Sequence, residues 1–230
     1  MKIAEVGTLW RSNGLAAPLV LQADGCVDLI LRDDELLVAG PSTRAFVGRG
    51  SSRGETLGIR FLPGLANSAL GRSLLELRDL QLDASDVLTP SRRQAGLSLL
   101  RRLRDANGSE VVEVASADIA AEYSLLPATQ GWTAVAREAA VLGESAAALA
   151  RRLTISERQL HRRMVASFGY GYTALRRVVH AQRARAMLRA GVASSEIAYR
   201  AGYCDQAHFT REFLKLAGTT PGSFTSVTQA

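Results

Sequence analysis

Ile197-Ala198-Tyr199-Arg200-Ala201-Gly202-Tyr203-Cys204-Asp205-Gln206-Ala207-His208-Phe209 is the stretch that decides how the last third of this chain folds. A small residue, Ala198, stands four positions before the glycine turn, where two crossing helices must approach closely. Tyr203 follows the turn as an apolar anchor, and a polar helix start comes next. The same pattern occurs earlier as Leu149-Ala150-Arg151-Arg152-Leu153-Thr154-Ile155-Ser156-Glu157-Arg158-Gln159-Leu160. Both read as helix-turn-helix units, whose second helix is built to enter a DNA major groove. One amphipathic helix, expected over Thr173 to Ala190, joins them, with Val178, Ala181, Ala184 and Leu188 on one side. Two such units on one chain suggest a reader of two neighbouring groove segments.

Local signals around these units agree. Ser156 followed by Gln159 forms a capping box for a helix from Glu157 to Phe168. Ser194 or Ser195 is expected to cap the next short helix, and Asp205 the one after it. Thr220-Pro221 opens a last turn with proline at its tolerated first position. Upstream, Trp132, Val135, Ala136, Ala139 and Leu142 form a helical stripe ended by Gly143.

The charge follows the same division. The net charge is +6, but from Gly131 onward 14 basic residues stand against 6 acidic ones, and 13 of the 14 are arginine. The first 130 residues hold 14 basic and 16 acidic side chains. A basic block beside a near-neutral one fits a nucleic-acid-binding domain joined to something else.

The N-terminal part reads differently. Cys26 to Leu31, Leu36 to Ala39 and Thr56 to Phe61 are short β-prone runs, set off by Asp24-Gly25, Gly40-Pro41 and Pro63-Gly64. They predict a small sandwich or barrel. Weak helical spacing appears near Leu65 to Leu77, and a clearer helix spans Ser91 to Ala106, stopped by Asn107-Gly108. Tyr123 to Gly131 is the linker candidate. The expected fold is α+β: an N-terminal sensor or dimerisation domain at 1–122, a linker at 123–131 and an all-α domain at 132–230.

Several function classes are disfavoured. Cys26 and Cys204 lie in different halves and make no disulfide framework. Leu15 to Leu21 is too short to span a bilayer and is broken by Pro18, and no secretory core is visible, so a cytoplasmic protein is expected. His161, His180 and His208 all lie in the C-terminal part, so the N-terminal part cannot build a His-rich metal centre. Gly48, Gly50 and Gly54 miss the spacing of a dinucleotide loop. Asp24, Cys26 and Asp28 alternate, and on a strand they would point the same way, as ligand contacts or with Cys26 as a nucleophile. The competing reading is a turn leading into a half-buried strand with an inert cysteine. No enzyme, metal or cofactor is expected.

Together these residues resemble the DNA-binding domain of AraC/XylS-type bacterial transcription regulators. The resemblance runs from about Thr133 to Phe224. It is carried by Leu149-Ala150, Ser156-Glu157-Arg158-Gln159-Leu160, Ala184, Met187-Leu188, Ile197-Ala198, Ala201-Gly202-Tyr203, Asp205 to Phe209, Arg211-Glu212-Phe213 and Gly218-Thr219-Thr220-Pro221. The first part, through Asp24 to Leu29 and Leu57 to Gly64, is similar to the N-terminal domain of a less studied subgroup.

The resemblance implies base-facing positions at Arg158, His161 and Arg162 in the first reader, and at Gln206, Ala207, His208 and Arg211 in the second. Arginine suits guanine, glutamine adenine, and an alanine methyl the thymine methyl. For His208 a hydrogen bond within the turn is an equal alternative. Arg151, Arg152, Arg176 and Arg177 are the expected backbone clamps. Promoter DNA, RNA polymerase, a small-molecule effector and a second copy of the chain are the implied partners. Two positions depart from the pattern: Thr154 replaces a turn glycine, and Cys204 replaces a serine. The competing classes are an enzyme or ligand-binding domain fused to a DNA-binding module, and an architectural DNA binder without sequence preference.

Overall fold

The computed structural model describes residues 2–3, 7–12, 19–48, 55–105 and 127–228. Asn107-Gly108, Gly50, Gly54 and the linker residues 123–126 lie outside them. The architecture is a β-rich N-terminal domain with helices, followed by an all-helical C-terminal domain.

The first domain carries β1 (Lys2–Ile3), β2 (Gly7–Ser12), β3 (Leu19–Leu21), β4 (Val27–Arg32), β5 (Glu35–Ala39), β6 (Phe46–Gly48), β7 (Thr56–Phe61) and β8 (Gln81–Asp83). Its helices are α1 (Ala66–Leu70), α2 (Ala84–Val87) and α3 (Pro90–Asp105). Six strands form an antiparallel sheet in the order β1-β2-β7-β4-β5-β8, and β3 pairs with β6 in a second sheet. Strand alternation sorts the side chains by face. Leu29, Leu31, Leu57, Ile59 and Phe61 point to the side where Leu99, Leu100 and Leu103 of α3 close the main core. Trp10, Ile30, Leu37 and Ala39 form a smaller cluster on the opposite face. There Gly58 leaves room for the Trp10 indole, which any Cβ at that position would strike.

The second domain holds α4 (Pro127–Leu142), α5 (Ala146–Arg152), α6 (Glu157–Phe168), α7 (Tyr172–Arg189), α8 (Ser194–Arg200), α9 (Gln206–Ala217) and α10 (Pro221–Thr228). Residues 127–131, expected in the linker, instead begin α4. Pro127 opens that helix, where its fixed φ is favourable and its missing N–H is no loss. The stripe on α4 also shifts, because Ala136, Ala139 and Ala140 are buried while Leu142 is 65% exposed. The last turn of α4 runs past the core it packs on. The α8 cap differs too: Ala193, with no side-chain bond, takes the place expected of a serine, and Ser194 is already helical.

Two cores serve the two helix-turn-helix units. Leu149, Ala150, Leu160, Met164, Phe168 and Leu175 belong to the first. Ala184, Leu188, Ile197, Ala198, Phe209 and Phe213 belong to the second. The expected α7 stripe of Val178, Ala181, Ala184 and Leu188 is buried.

The two turns are built alike. Ile155 N–H donates to Ala150 O and Thr154 N–H to Arg151 O, both at 3.0 Å. Tyr203 N–H donates to Ala198 O at 2.9 Å and Gly202 N–H to Tyr199 O at 3.2 Å. Each is the paired closure that requires a left-handed residue just past the helix. Gly202 adopts φ +86° without cost, whereas Thr154 is held at φ 55°. A β-branched residue there costs roughly 1–2 kcal/mol, partly offset by the greater unfolded-state freedom of glycine. Thr154→Gly is therefore expected to stabilise the protein by about 1 kcal/mol, raising Tm by about 2–4 °C. Differential scanning calorimetry of the two proteins checks this, and an unchanged or lowered Tm would remove the strain.

Candidate nucleic-acid interface

Each reader helix buries one side and exposes the other. In α6, Leu160, Met164 and Phe168 are buried, while Arg158, His161, Arg162 and Arg163 are exposed. The capping box starts this helix as expected: Ser156 Oγ accepts from Gln159 N–H, and Gln159 Oε1 accepts from Ser156 N–H at 2.9 Å. His161 leans back along the following turn, where a Cβ on Gly171 would lie 3.4 Å from its Nδ1.

In α9, Phe209, Phe213, Leu216 and Ala217 are buried, while Gln206, Ala207 and Arg211 are exposed. Asp205 caps it, accepting from His208 N–H at 2.6 Å. Half-buried His208 accepts from Cys204 N–H at its Nδ1, 3.3 Å away, so the within-turn bond is present. That bond takes up Nδ1 as an acceptor.

The arginines divide by partner. Arg152 is paired with both Glu138 and Glu144, and Arg177 with Glu212. Arg200 pairs with Glu196, and Arg189 lies over the Phe224 ring. Arg176 is half-buried, with an Nε that has no partner among the described residues. Arg151, Arg158, Arg162, Arg163 and Arg211 have neither a carboxylate nor a hydrogen-bond partner among the described residues. All five are exposed. Unpaired guanidinium groups at the end of α5 and along α6 and α9 make a surface suited to phosphate and base edges.

Beneath α8 and α9, the His180 ring packs edge-on to Tyr203, which in turn contacts His208 and Phe209. Burial, then Arg176, Arg183 and His208, pulls the His180 pKa down, which favours the neutral ring.

In the N-terminal domain, Asp24, Cys26 and Asp28 do converge, but around a cation. Asp24 and Cys26 precede β4 in a turn through Gly25 (φ +68°), and only Asp28 lies on the strand. Arg60, opposite Asp28 in register, donates Nη1 to Asp24 at 2.9 Å and Nη2 to Asp28 at 2.9 Å. Trp10 Nε1 adds a bond to Asp28 at 3.0 Å. Burial pushes the Asp28 carboxyl up from its ordinary range, against the pull of Arg60. Burial, followed by Asp24, also raises the Cys26 thiol well above its usual value, which favours the protonated, less reactive form. A recess of about 160 Å³ near Asp33, Asp34, Glu55 and Arg104 lies apart from this cluster. It is smaller than the roughly 300–1,000 Å³ of most ligand pockets.

Arg163 and Arg60 were not singled out in the sequence. Arg163 sits beside buried Met164 in the run His161-Arg162-Arg163, and helical spacing from Leu160 would have placed it outward. Arg60 is recoverable only from strand register.

Residues 149–226 match the family model described as a helix-turn-helix domain, and residues 6–83 match one described as a domain of unknown function (DUF6597). The C-terminal domain is a helix-turn-helix of the AraC type. The chain is thus a DNA-binding transcription regulator. No curated protein matches the regulator's sequence. Among solved structures, it is similar to ToxT from Vibrio cholerae O395, with 12% identity, 98% of each chain covered and a TM-score of 0.49. A second ToxT structure from Vibrio cholerae gives 11% identity over 95% of the regulator and 97% of that chain, with a TM-score of 0.48. CdpR from Pseudomonas aeruginosa gives 22% identity over 77% of the regulator and 46% of that chain, with a TM-score of 0.38. No helix among the described residues is long and apolar enough to cross a membrane.

Proposed function

We propose that the regulator binds a discrete promoter site by placing α6 and α9 in successive major-groove segments. Arg158, His161 and Arg162 read bases from α6; Gln206, Ala207, His208 and Arg211 read them from α9. The single observation that supports this best is that Arg158, Arg162 and Arg163 on α6 and Arg211 on α9 are exposed and unpaired among the described residues. Arginines that hold no carboxylate can take phosphate or a base edge without first giving up a partner.

Arg151 and Arg176 serve as phosphate contacts. Arg152 and Arg177 do so only by exchanging Glu138, Glu144 and Glu212 for phosphate. The N-terminal domain senses a small molecule or pairs two copies of the chain, in a cytoplasmic regulator that acts on RNA polymerase without chemistry of its own. Asp24, Cys26 and Asp28 would contact such a molecule only by opening the Arg60 cluster.

The test is fluorescence anisotropy on a duplex selected from a random pool at near-physiological salt. Arg162→Ala and Arg211→Ala are each expected to weaken binding by about 1–3 kcal/mol, or roughly 5- to 150-fold. Equal losses on an unrelated duplex would reassign both to phosphate. Failure of the wild-type protein to prefer any selected duplex would sink the reading.

A further inference from the structure

We infer, resting on the assignment of α6 and α9 as paired readers, that the N-terminal domain is a splint fixing the distance between them, with Arg185 as its positioning residue. Arg185 lies on α7, the helix that joins the two units, and it is only 7% exposed. It cannot reach DNA. Its Nη1 donates to Gln22 Oε1 at 2.6 Å and its Nη2 to Ala23 O at 3.2 Å. Both acceptors are neutral, so burial pulls its pKa down, and the contact carries a desolvation cost. The rigid fork of the guanidinium returns a defined geometry in exchange.

The same short N-terminal segment holds both reading units. Ala23 N–H donates to Leu216 O at 2.7 Å, and Ala45 N–H to Lys215 O at 3.0 Å. Those carbonyls belong to the last turn of α9, which has no partners of its own there. The second reader is therefore capped by the other domain. Ala23, Val178, Ala181 and Leu216 close a buried cluster over this seam. Two residues on, Gly25 O accepts from Tyr170 Oη at 2.9 Å in a fully buried bond. Tyr170 stands just past Gly169, which caps the end of α6. Alongside it, Arg137 donates to Pro63 O at 2.7 Å, and the Phe168 ring lies so close to Gly64 that a Cβ there would come within 2.7 Å. Residues 22–25 thus touch the connecting helix, the second reader and the end of the first.

Two units joined by one helix can twist about it; the same two fastened to a third body cannot. Adding one base pair between two half-elements moves the second by ~3.4 Å and rotates it by roughly 34°. A splinted pair cannot follow that change, whereas an unsplinted pair follows it in part.

The experiment uses the full chain and a duplex selected by it from a random pool, resynthesised with one base pair inserted or deleted between the two protected segments. Wild-type protein is expected to lose about tenfold in affinity on the altered duplexes, and Arg185→Met and Gln22→Ala only about threefold. The ratio is the readout, because a merely weakened fold lowers all affinities together and leaves it unmoved. Gln22 lies outside the DNA-binding domain, so its variant tests the splint even if Arg185→Met folds poorly. An unchanged ratio in Gln22→Ala overturns the splint while leaving the two readers standing. Absence of any preferred duplex for the wild type overturns the two-reader assignment, and the splint with it.

Discussion

Phe209→Ala is expected to cost about 3–5 kcal/mol, enough to unfold the second helix-turn-helix in a protein of ordinary stability. Phe209 is fully buried, with ring centroids of Tyr203 and Phe213 at 5.1 and 5.4 Å. Phe213 passes the contact on to Phe224 at 5.5 Å, so the aromatic residues from the turn to the last helix form one stack. Deleting the ring leaves a cavity that four helices would have to collapse to fill. Urea denaturation followed by circular dichroism measures the loss, and DNA affinity should fall alongside it because one reader is gone. A loss below about 1 kcal/mol would mean that the stack is not the core of this unit. Phe209→Leu, which keeps most of the volume, should cost much less.

Asp28→Ala is the second large effect, at about 2–3 kcal/mol. The substitution removes two acceptor oxygens from Arg60 and one bond from the Trp10 indole. The figure stays below the roughly 3–5 kcal/mol of a fully buried broken pair because Asp24 remains bound to Arg60. The guanidinium side chain is also 41% exposed, so water can reach it. A cycle combining Asp28→Ala with Arg60→Met, read by thermal unfolding, separates the pair from simple packing. Additive losses would show that the two side chains are not coupled.

The C-terminal domain was largely legible because its signals are local. Helix α6 runs over Glu157–Phe168 as the capping box and the apolar spacing predict, and Asp205 caps α9 as expected once Cys204 displaces a serine. Thr154 stands in the pattern where a turn glycine is expected, and its φ of 55° is the left-handed conformation that such a turn requires. The failures are equally physical. Residue type points to Ser194 or Ser195 as the cap, yet the chain enters α8 earlier, through Ala193. Residues 123–131 read as a linker by composition, although a proline also suits the first position of a helix, and α4 begins at Pro127.

In the N-terminal domain Thr56–Phe61 was found to the residue, but its place between β2 and β4 was not. Strand order depends on pairings far apart in sequence, which no local pattern records. The ion cluster was half visible: the alternation of Asp24, Cys26 and Asp28 suggested a shared direction, but Arg60 comes from another strand. Arg185 had a readable signal that was passed over. Val178, Ala181, Arg185 and Leu188 follow the apolar spacing of a buried helix face, and an arginine in that series is a sign of a partner waiting outside the helix.

The central position of β7 has a kinetic consequence. Its neighbours β2 and β4 are both made earlier in the chain, and it must slot between them before the main sheet is continuous. Contacts so distant in sequence form slowly, whereas helices that pack on their immediate successors assemble fast. The amino-terminal half is therefore expected to fold more slowly than the carboxyl-terminal half. The bond from Arg185 to Gln22, 163 residues apart, is then expected among the last contacts to close.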